Sequence, residues 1–284
     1  MKIAILGTGI IGSGLTKGLI KAGYETIVYN RTVSKTEPLV ALGAKAVTTA
    51  AEAIATADAS IIVLTDGAAI ENLLQDEAVK AAFNGKKIIN VSTTSPSQIE
   101  EYAKKVVECG GNLAEISVLV GGEELSNRQG RFLLGSDAEV VKFWTEIFST
   151  IGDIHPVGCI GNASKAESPM LFGSMFINAI VAYSAAVAHK LNIPHEIISQ
   201  QVAMFTNGGD YLLPNMFARD YSQIVASTDN FKSVSETAIN TAKSLGMPVK
   251  SLEGILELFD QAVKLGYGAQ DGSSIVEVLL GSTK

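Results

Sequence analysis

Sulfur is scarce in this chain, and so are histidine, clustered basic charge and unbroken apolar runs. Its two cysteines, Cys109 and Cys159, lie far apart with no further cysteine near either. That spacing fits neither a disulfide framework nor a zinc site, so free thiols in a reducing compartment are expected. The three histidines, His155, His189 and His195, share no ligand spacing, and no metal is expected. Lysine and arginine number 22 against 29 acidic residues, a net charge of -7, and the basic residues are scattered. This excludes an electrostatic footprint for nucleic acid or an anionic membrane. The most apolar stretch, "MLFGSMFINAIVAYSAAVA" at 170–188, is diluted by Ala, Gly, Ser and Asn. It reads as a helix buried on all sides rather than a membrane span. The opening "MKIAILGTGI" is short, β-rich and broken by glycines, so it reads as a strand. No cleaved leader is expected, and the location expected is cytoplasmic.

What is present is a rhythm. With 284 residues, 47% hydrophobic and 18% charged, the chain has the composition of a soluble globular protein and room for two units. Up to about residue 155, β-branched runs alternate with charged helical segments. The strand candidates are "KIAILG", "ETIVYN", "KAVTT", "ASIIVLTD", "KKIINVS", "NLAEISVLV" and "RFLLG". Such βαβ alternation predicts an α/β doubly wound sheet. Beyond "HPVGCIGN" the β signal stops and helices follow, so an all-α half is predicted. The boundary is set between 160 and 161, with a long helix over about 162–190 joining domains 1–160 and 161–284 and the ligand cleft between them. Trp144, in "VVKFWTEIF", falls on an apolar helical face and is a predicted core anchor.

"KIAILGTGIIGSGL" places Gly7, Thr8, Gly9, Ile10, Ile11 and Gly12 between a strand and a helix. A G-x-G-x-x-G in that context brings backbone N–H groups and a helix N-terminus to a pyrophosphate. Dinucleotide binding is therefore predicted. At the end of the second strand stand Asn30, Arg31, Thr32 and Lys35. A carboxylate at Asn30 would accept both ribose hydroxyls; a neutral Asn followed by cations and donors suits a 2′-phosphate, and NADP(H) is the expected cofactor. Leu64, Thr65 and Asp66, then Ser92 and Thr93, lie at the carboxyl ends of two further strands, where ligands of open sheets bind. For Asp66 and Ser92 ordinary turn chemistry is the alternative.

Taken together, "GTGIIGSGL", "VYNRTVSKTEPLVALGA", "INVSTTSP", "GCIGNASKAES", "GGDY" and "GYGAQDGSSIVEVL" resemble the β-hydroxyacid dehydrogenase superfamily. Within it the chain is most similar to the NADPH-dependent imine reductases and reductive aminases. The resemblance implies a Rossmann-like N-terminal domain, an interdomain helix and a helical C-terminal domain that exchanges helices in a homodimer with a shared active site. It also implies that carbonyl-reducing members carry a lysine where Glu167 stands and an asparagine where Leu171 stands. Lys165 lies about 200° from Glu167 around a helix and is expected to point away from the cleft. Pro169 is expected to kink the helix or end its first turn.

A carboxyl at this place suits a different bond. Carbonyl reduction develops negative charge on oxygen, which an ionised carboxylate opposes, whereas an iminium already carries positive charge before hydride arrives. Glu167 is therefore the expected iminium anchor or proton donor. The loop that grips a substrate carboxylate in hydroxyacid dehydrogenases reads "AEISVLVGG" here, with Ala114 at the acidic position and Gly121 and Gly122 retained. Val118, Leu119 and Val120 are expected to form an apolar pocket, together with Leu171. In "MFTNGGDYLLPNMF", Asp210 and Tyr211 are expected to orient the substrate nitrogen, with Tyr211 a catalytic helper. Met204, Phe205 and Met216 shape the wall or simply pack the helical core. The function expected is NADPH-dependent imine reduction. Two alternatives stand beside it: carbonyl reduction that recruits Lys165 by a shifted register, and a silent NADPH-binding dimer.

Overall fold

The computed structural model describes residues 1–65, 67–203, 209–244, 246 and 249–281. Of the expected site residues, Asp66, Met204 and Phe205 lie outside the described residues, as do the side chains of Asp210 and Tyr211. The chain divides into two compact units, Met1–Glu167 and Ser168–Lys284.

In the first unit, strands and helices alternate. They run β1 (Lys2–Leu6), α1 (Ile10–Lys21), β2 (Glu25–Tyr29), α2 (Glu37–Val40), β3 (Lys45–Ala46), α3 (Ala50–Thr56) and β4 (Ala59–Ile62). They continue with α4 (Gly67–Gln75), α5 (Glu77–Ala82), β5 (Lys87–Asn90), α6 (Pro96–Glu108), β6 (Asn112–Val118), α7 (Gly122–Ser126), β7 (Gly130–Gly135), α8 (Ala138–Phe148) and β8 (Gly152–Gly158). The strands form one sheet in the order β3-β2-β1-β4-β5-β6-β7-β8, parallel except that β7 runs against β6. β1 sits inside the sheet and is buried from Ile3 to Leu6, which is why its sequence is apolar on both faces. Ile3 and Ile5 join one core with Leu15, Trp144 and Phe148, whereas Ala4 and Leu6 join the opposite core with Ile54, Ile70 and Phe83. The chain reverses its winding between β1 and β4, the switch point at which such sheets open a crevice.

All seven predicted strands are present. β8, "GDIHPVG", was not predicted: it is a largely exposed edge strand containing Pro, Gly, Asp and His, with no apolar run to announce it.

α9 (Asn162–Leu191) starts in the first unit and continues into the second. Pro169 lies inside it without ending it, although its missing N–H leaves the Lys165 carbonyl without that helical bond. The second unit adds α10 (His195–Ala203), α11 (Gly209–Ala218), α12 (Thr228–Ser244), α13 (Lys250–Ala262) and α14 (Val276–Leu280). Met175, Leu212, Leu213, Met216 and Phe259 are among the residues of its core. Among the described residues no helix is long and apolar enough to cross a membrane.

Candidate active site

The loop after β1 is shaped by three glycines with separate duties. Gly7 has φ +109, and a Cβ there would stand 1.9 Å from the Val63 carbonyl oxygen. A Cβ on Gly12 would stand 2.0 Å from the Gly7 carbonyl oxygen, so both positions require glycine for the turn itself. Gly9 is different. It caps α1, and an added Cβ would meet no described protein atom within 4 Å. The space it leaves open faces a helix N-terminus that has no acidic residue in its first turn and no side-chain cap. Backbone N–H groups so exposed attract an anion.

A groove of about 560 Å³ runs from this loop, lined by Thr8, Gly9, Ile10, Ser13, Gly14, Lys17, Lys35 and α7 residues. The Thr8 hydroxyl is buried and has no hydrogen-bond partner among the described residues. Lys17, Arg31 and Lys35 make no ion pair among the described residues. The open glycine, the orphaned hydroxyl and the free cations fit the phosphates of a dinucleotide. Ile11, by contrast, packs against the sheet core and not into the groove.

Asn30 acts as a strut. Its side-chain carbonyl accepts from the Thr8 N–H at 3.2 Å, and its amide donates to the Thr32 carbonyl at 3.0 Å. The glycine loop and the following turn are thereby held together, and Arg31, Thr32 and Lys35 stand exposed beside them. At the ends of β4 and β5, the Ser92 hydroxyl accepts from the Leu64 N–H at 2.8 Å, so it fastens two strand ends. Thr65 is exposed and Thr93 half-buried alongside.

A second site forms where β6 meets the start of α9. Glu115 and Ser117 are two residues apart on β6 and share a face of the strand. Glu115 is 2% exposed; one carboxylate oxygen accepts from the Ala163 N–H at 2.9 Å, the other from the Ser164 N–H at 3.2 Å and hydroxyl at 2.5 Å. It therefore takes up the donors that a helix start leaves unpaired. A Cβ on Gly135, the β7 residue opposite, would stand 2.7 Å from Glu115, so that glycine makes room for the carboxylate. One turn along α9, Glu167 is half-buried, and its Oε2 accepts a 2.6 Å hydrogen bond from the Ser117 hydroxyl. Lys165 turns outward to Glu100, at 3.4 Å.

Burial pushes the Glu167 carboxyl above the ordinary glutamate range; the Ser117 bond opposes this and the charge of Glu115 adds to it. Burial pushes Glu115 up too, against the Ser164 hydroxyl and the N–H groups of Ala163, Ser164 and Gly161. Neither Glu115 nor Ser117 was predicted. The available signal was the "AEISV" alternation, which puts two polar side chains on one face of a buried strand, beside the Ala114 on which the reading rested.

Of the expected pocket residues, Val118 and Val120 are half-buried and pack against the sheet core, Leu119 is half-buried between them, and Leu171 is buried in the second unit. Gly122 has a packing reason to be glycine: its Cβ would stand 2.6 Å from the Ile10 carbonyl oxygen.

A family model for the NAD binding domain of 6-phosphogluconate dehydrogenase matches residues 2–161. Glyoxylate/succinic semialdehyde reductase 2, chloroplastic, of Arabidopsis thaliana is 27% identical, over 98% of this chain and 79% of that protein. Among solved structures, a 3-hydroxyisobutyrate dehydrogenase from Salmonella typhimurium aligns with TM-score 0.86 and 20% identity, covering 98% of this chain and 99% of that one. An imine reductase from Myxococcus stipitatus in complex with NADP+ aligns with TM-score 0.64 and 21% identity, covering 98% and 100%. At such identities these likenesses concern the fold.

Proposed function

The chain belongs to the family of the NAD binding domain of 6-phosphogluconate dehydrogenase, within the β-hydroxyacid dehydrogenase superfamily, and from that premise we propose that it reduces C=N bonds with NADPH. That it is an NAD(P)-dependent oxidoreductase follows from the family. The finer reading is carried by one observation: the acidic Glu167, tethered by Ser117, occupies the first turns of α9 while Lys165 is drawn outward to Glu100.

Held by the glycine loop with Thr8, Lys17 and Lys35, NADPH would supply the hydride for the imine carbon. Glu167 supplies what the nitrogen needs. In its protonated form it donates a proton to a neutral imine; ionised, it holds an iminium cation in place. Hydride plus proton across C=N gives the amine, and the carboxyl recovers its proton from solvent. Asn30 supports NADPH because its amide is already committed to the loop, leaving Arg31 and Lys35 for a 2′-phosphate.

With a cyclic imine of the pyrroline type, NADPH consumption is expected and Glu167→Leu lowers kcat by about 10² to 10⁴, the usual contribution of a positioned acid. Undiminished turnover in that variant overturns the role. Arg31→Ala is expected to raise the Kd for NADPH by about ten- to a hundredfold and leave that for NADH nearly unchanged, since a charge-assisted hydrogen bond contributes about 1.5–3 kcal/mol.

Aldehyde reduction is the second reading, favoured by the likeness to the glyoxylate/succinic semialdehyde reductase along nearly the whole chain. It requires Lys165 to leave Glu100. Under it, Lys165→Ala abolishes turnover of a semialdehyde; under C=N reduction, Lys165→Ala leaves imine turnover intact.

A further inference from the structure

We infer that Glu115 and Ser117 are positioning residues that place the acid's proton on Glu167, on the oxygen that Ser117 leaves free. The inference rests on the reading of Glu167 as the acid of C=N reduction.

The argument begins with donors. Both oxygens of Glu115 are occupied by groups that donate to them in this arrangement: the N–H groups of Ala163 and Ser164 in α9, that of Gly161 just before it, and the Ser164 hydroxyl. A proton on Glu115 would have to displace an N–H or turn the Ser164 hydroxyl from donor to acceptor, and a buried donor left unpaired costs about 1–3 kcal/mol. Glu115 is therefore the anion of the pair. Glu167 is one helical turn away, with Ser117 on one oxygen. When it is protonated no donor need be given up, because Oε1 has no hydrogen-bond donor among the described residues and carries the hydrogen while Oε2 accepts from Ser117. Two carboxylates joined through one strand face and one helical turn do not both ionise readily, and the geometry assigns the proton to Glu167.

Other charges do not disturb this division. On β6 the charged side chain is Glu115 alone; on the first turns of α9 the other is Lys165, which is paired outward with Glu100 of α6. On β7, Arg131 is exposed. Ser117 then has two tasks. It fixes the rotamer of Glu167, and it decides which oxygen faces the ligand with hydrogen attached.

The test reads the Glu167 carboxyl directly, by carbon-detected NMR on the full chain labelled at glutamate side-chain carboxyls, with Glu167→Gln assigning the resonance. In the parent protein the Glu167 titration midpoint is expected above the ordinary glutamate range. Glu115→Gln removes the neighbouring charge and moves the midpoint down. Ser164→Ala removes a donor to Glu115, lets Glu115 share the proton, and moves the Glu167 midpoint down as well, so the inference stays testable if Glu115→Gln fails to fold. Ser117→Ala removes a donor that favours the ionised form and moves the midpoint up; Ser117→Thr restores it. The basic limb of kcat/KM for an imine shifts in the same directions. An ordinary midpoint in the parent, or no opposition between the Ser164 and Ser117 variants, overturns the inference. Opposed shifts without any imine turnover uphold this carboxyl pair and overturn C=N reduction instead.

Discussion

Ionising Glu167 works against the fold, because its carboxyl is half-buried and the Glu115 carboxyl, bound to the start of the same helix from β6, repels its charge. A carboxyl whose folded pKa lies above its unfolded value binds its proton more tightly in the native state. The resulting stabilisation is full below the unfolded pKa and is lost as pH rises through the folded one. Glu167→Gln keeps the shape and removes that loss. Urea unfolding is expected to show the variant gaining on the parent as pH is raised from acidic to mildly alkaline, with turnover lost throughout. A parent that gains stability relative to Glu167→Gln on the same rise contradicts the raised carboxyl. At this scale, counting from Gly161 was enough to separate Glu167 from Lys165, since helical period alone sets their directions. Glu115 and Ser117 were legible only as two polar side chains on one strand face; their roles arise when β6 and the start of α9 meet, a contact between segments far apart in sequence.

Elements meet closely here, and the glycines of α1 separate binding from packing. Gly9 faces open space, whereas a Cβ on Gly14 would stand 2.5 Å from the Gly122 carbonyl oxygen and one on Gly18 would stand 2.5 Å from that of Leu125. α1 and α7 thus touch backbone to backbone. Gly14→Ala is expected to destabilise the protein by about 1–3 kcal/mol, the range for overpacking a tight contact, and to lower its melting temperature. Gly9→Ala is expected to leave thermal unfolding nearly unchanged while weakening NADPH binding in calorimetric titration, because the methyl enters the space of the pyrophosphate. Equal effects of the two substitutions on both measurements would show that the groove is not where the cofactor lies. The glycine fingerprint was legible as a loop between β1 and α1, since strand, turn residues and helix follow in order. What it did not reveal is that Gly122, expected as part of a substrate loop, serves the same helix contact. Nor did the pattern announce β8, whose place at the sheet edge spares it the apolar run by which buried strands are recognised.

For the molecule as a whole, α9 departs from the all-round burial its composition suggested. Met170, Phe176 and Ile177 are exposed on it by 45%, 39% and 37%, and Met170 and Ile177 lie on one helical face. Large apolar side chains grouped on a helix call for a covering surface. We propose that a second copy of the chain, the homodimer expected from the sequence resemblance, covers this face. Light scattering is then expected to give twice the chain mass of 29.8 kDa. Paired replacement of Phe176 and Ile177 by glutamate is expected to yield a single-chain species, since two charges on a buried apolar surface remain uncompensated. That species separates two properties. If the dinucleotide lies in the loop and groove of the first unit, as proposed, its binding is expected to persist in the single chain. Turnover should fall if the second copy completes the active site, and a monomeric variant with parental kcat would show that one chain suffices for the reaction.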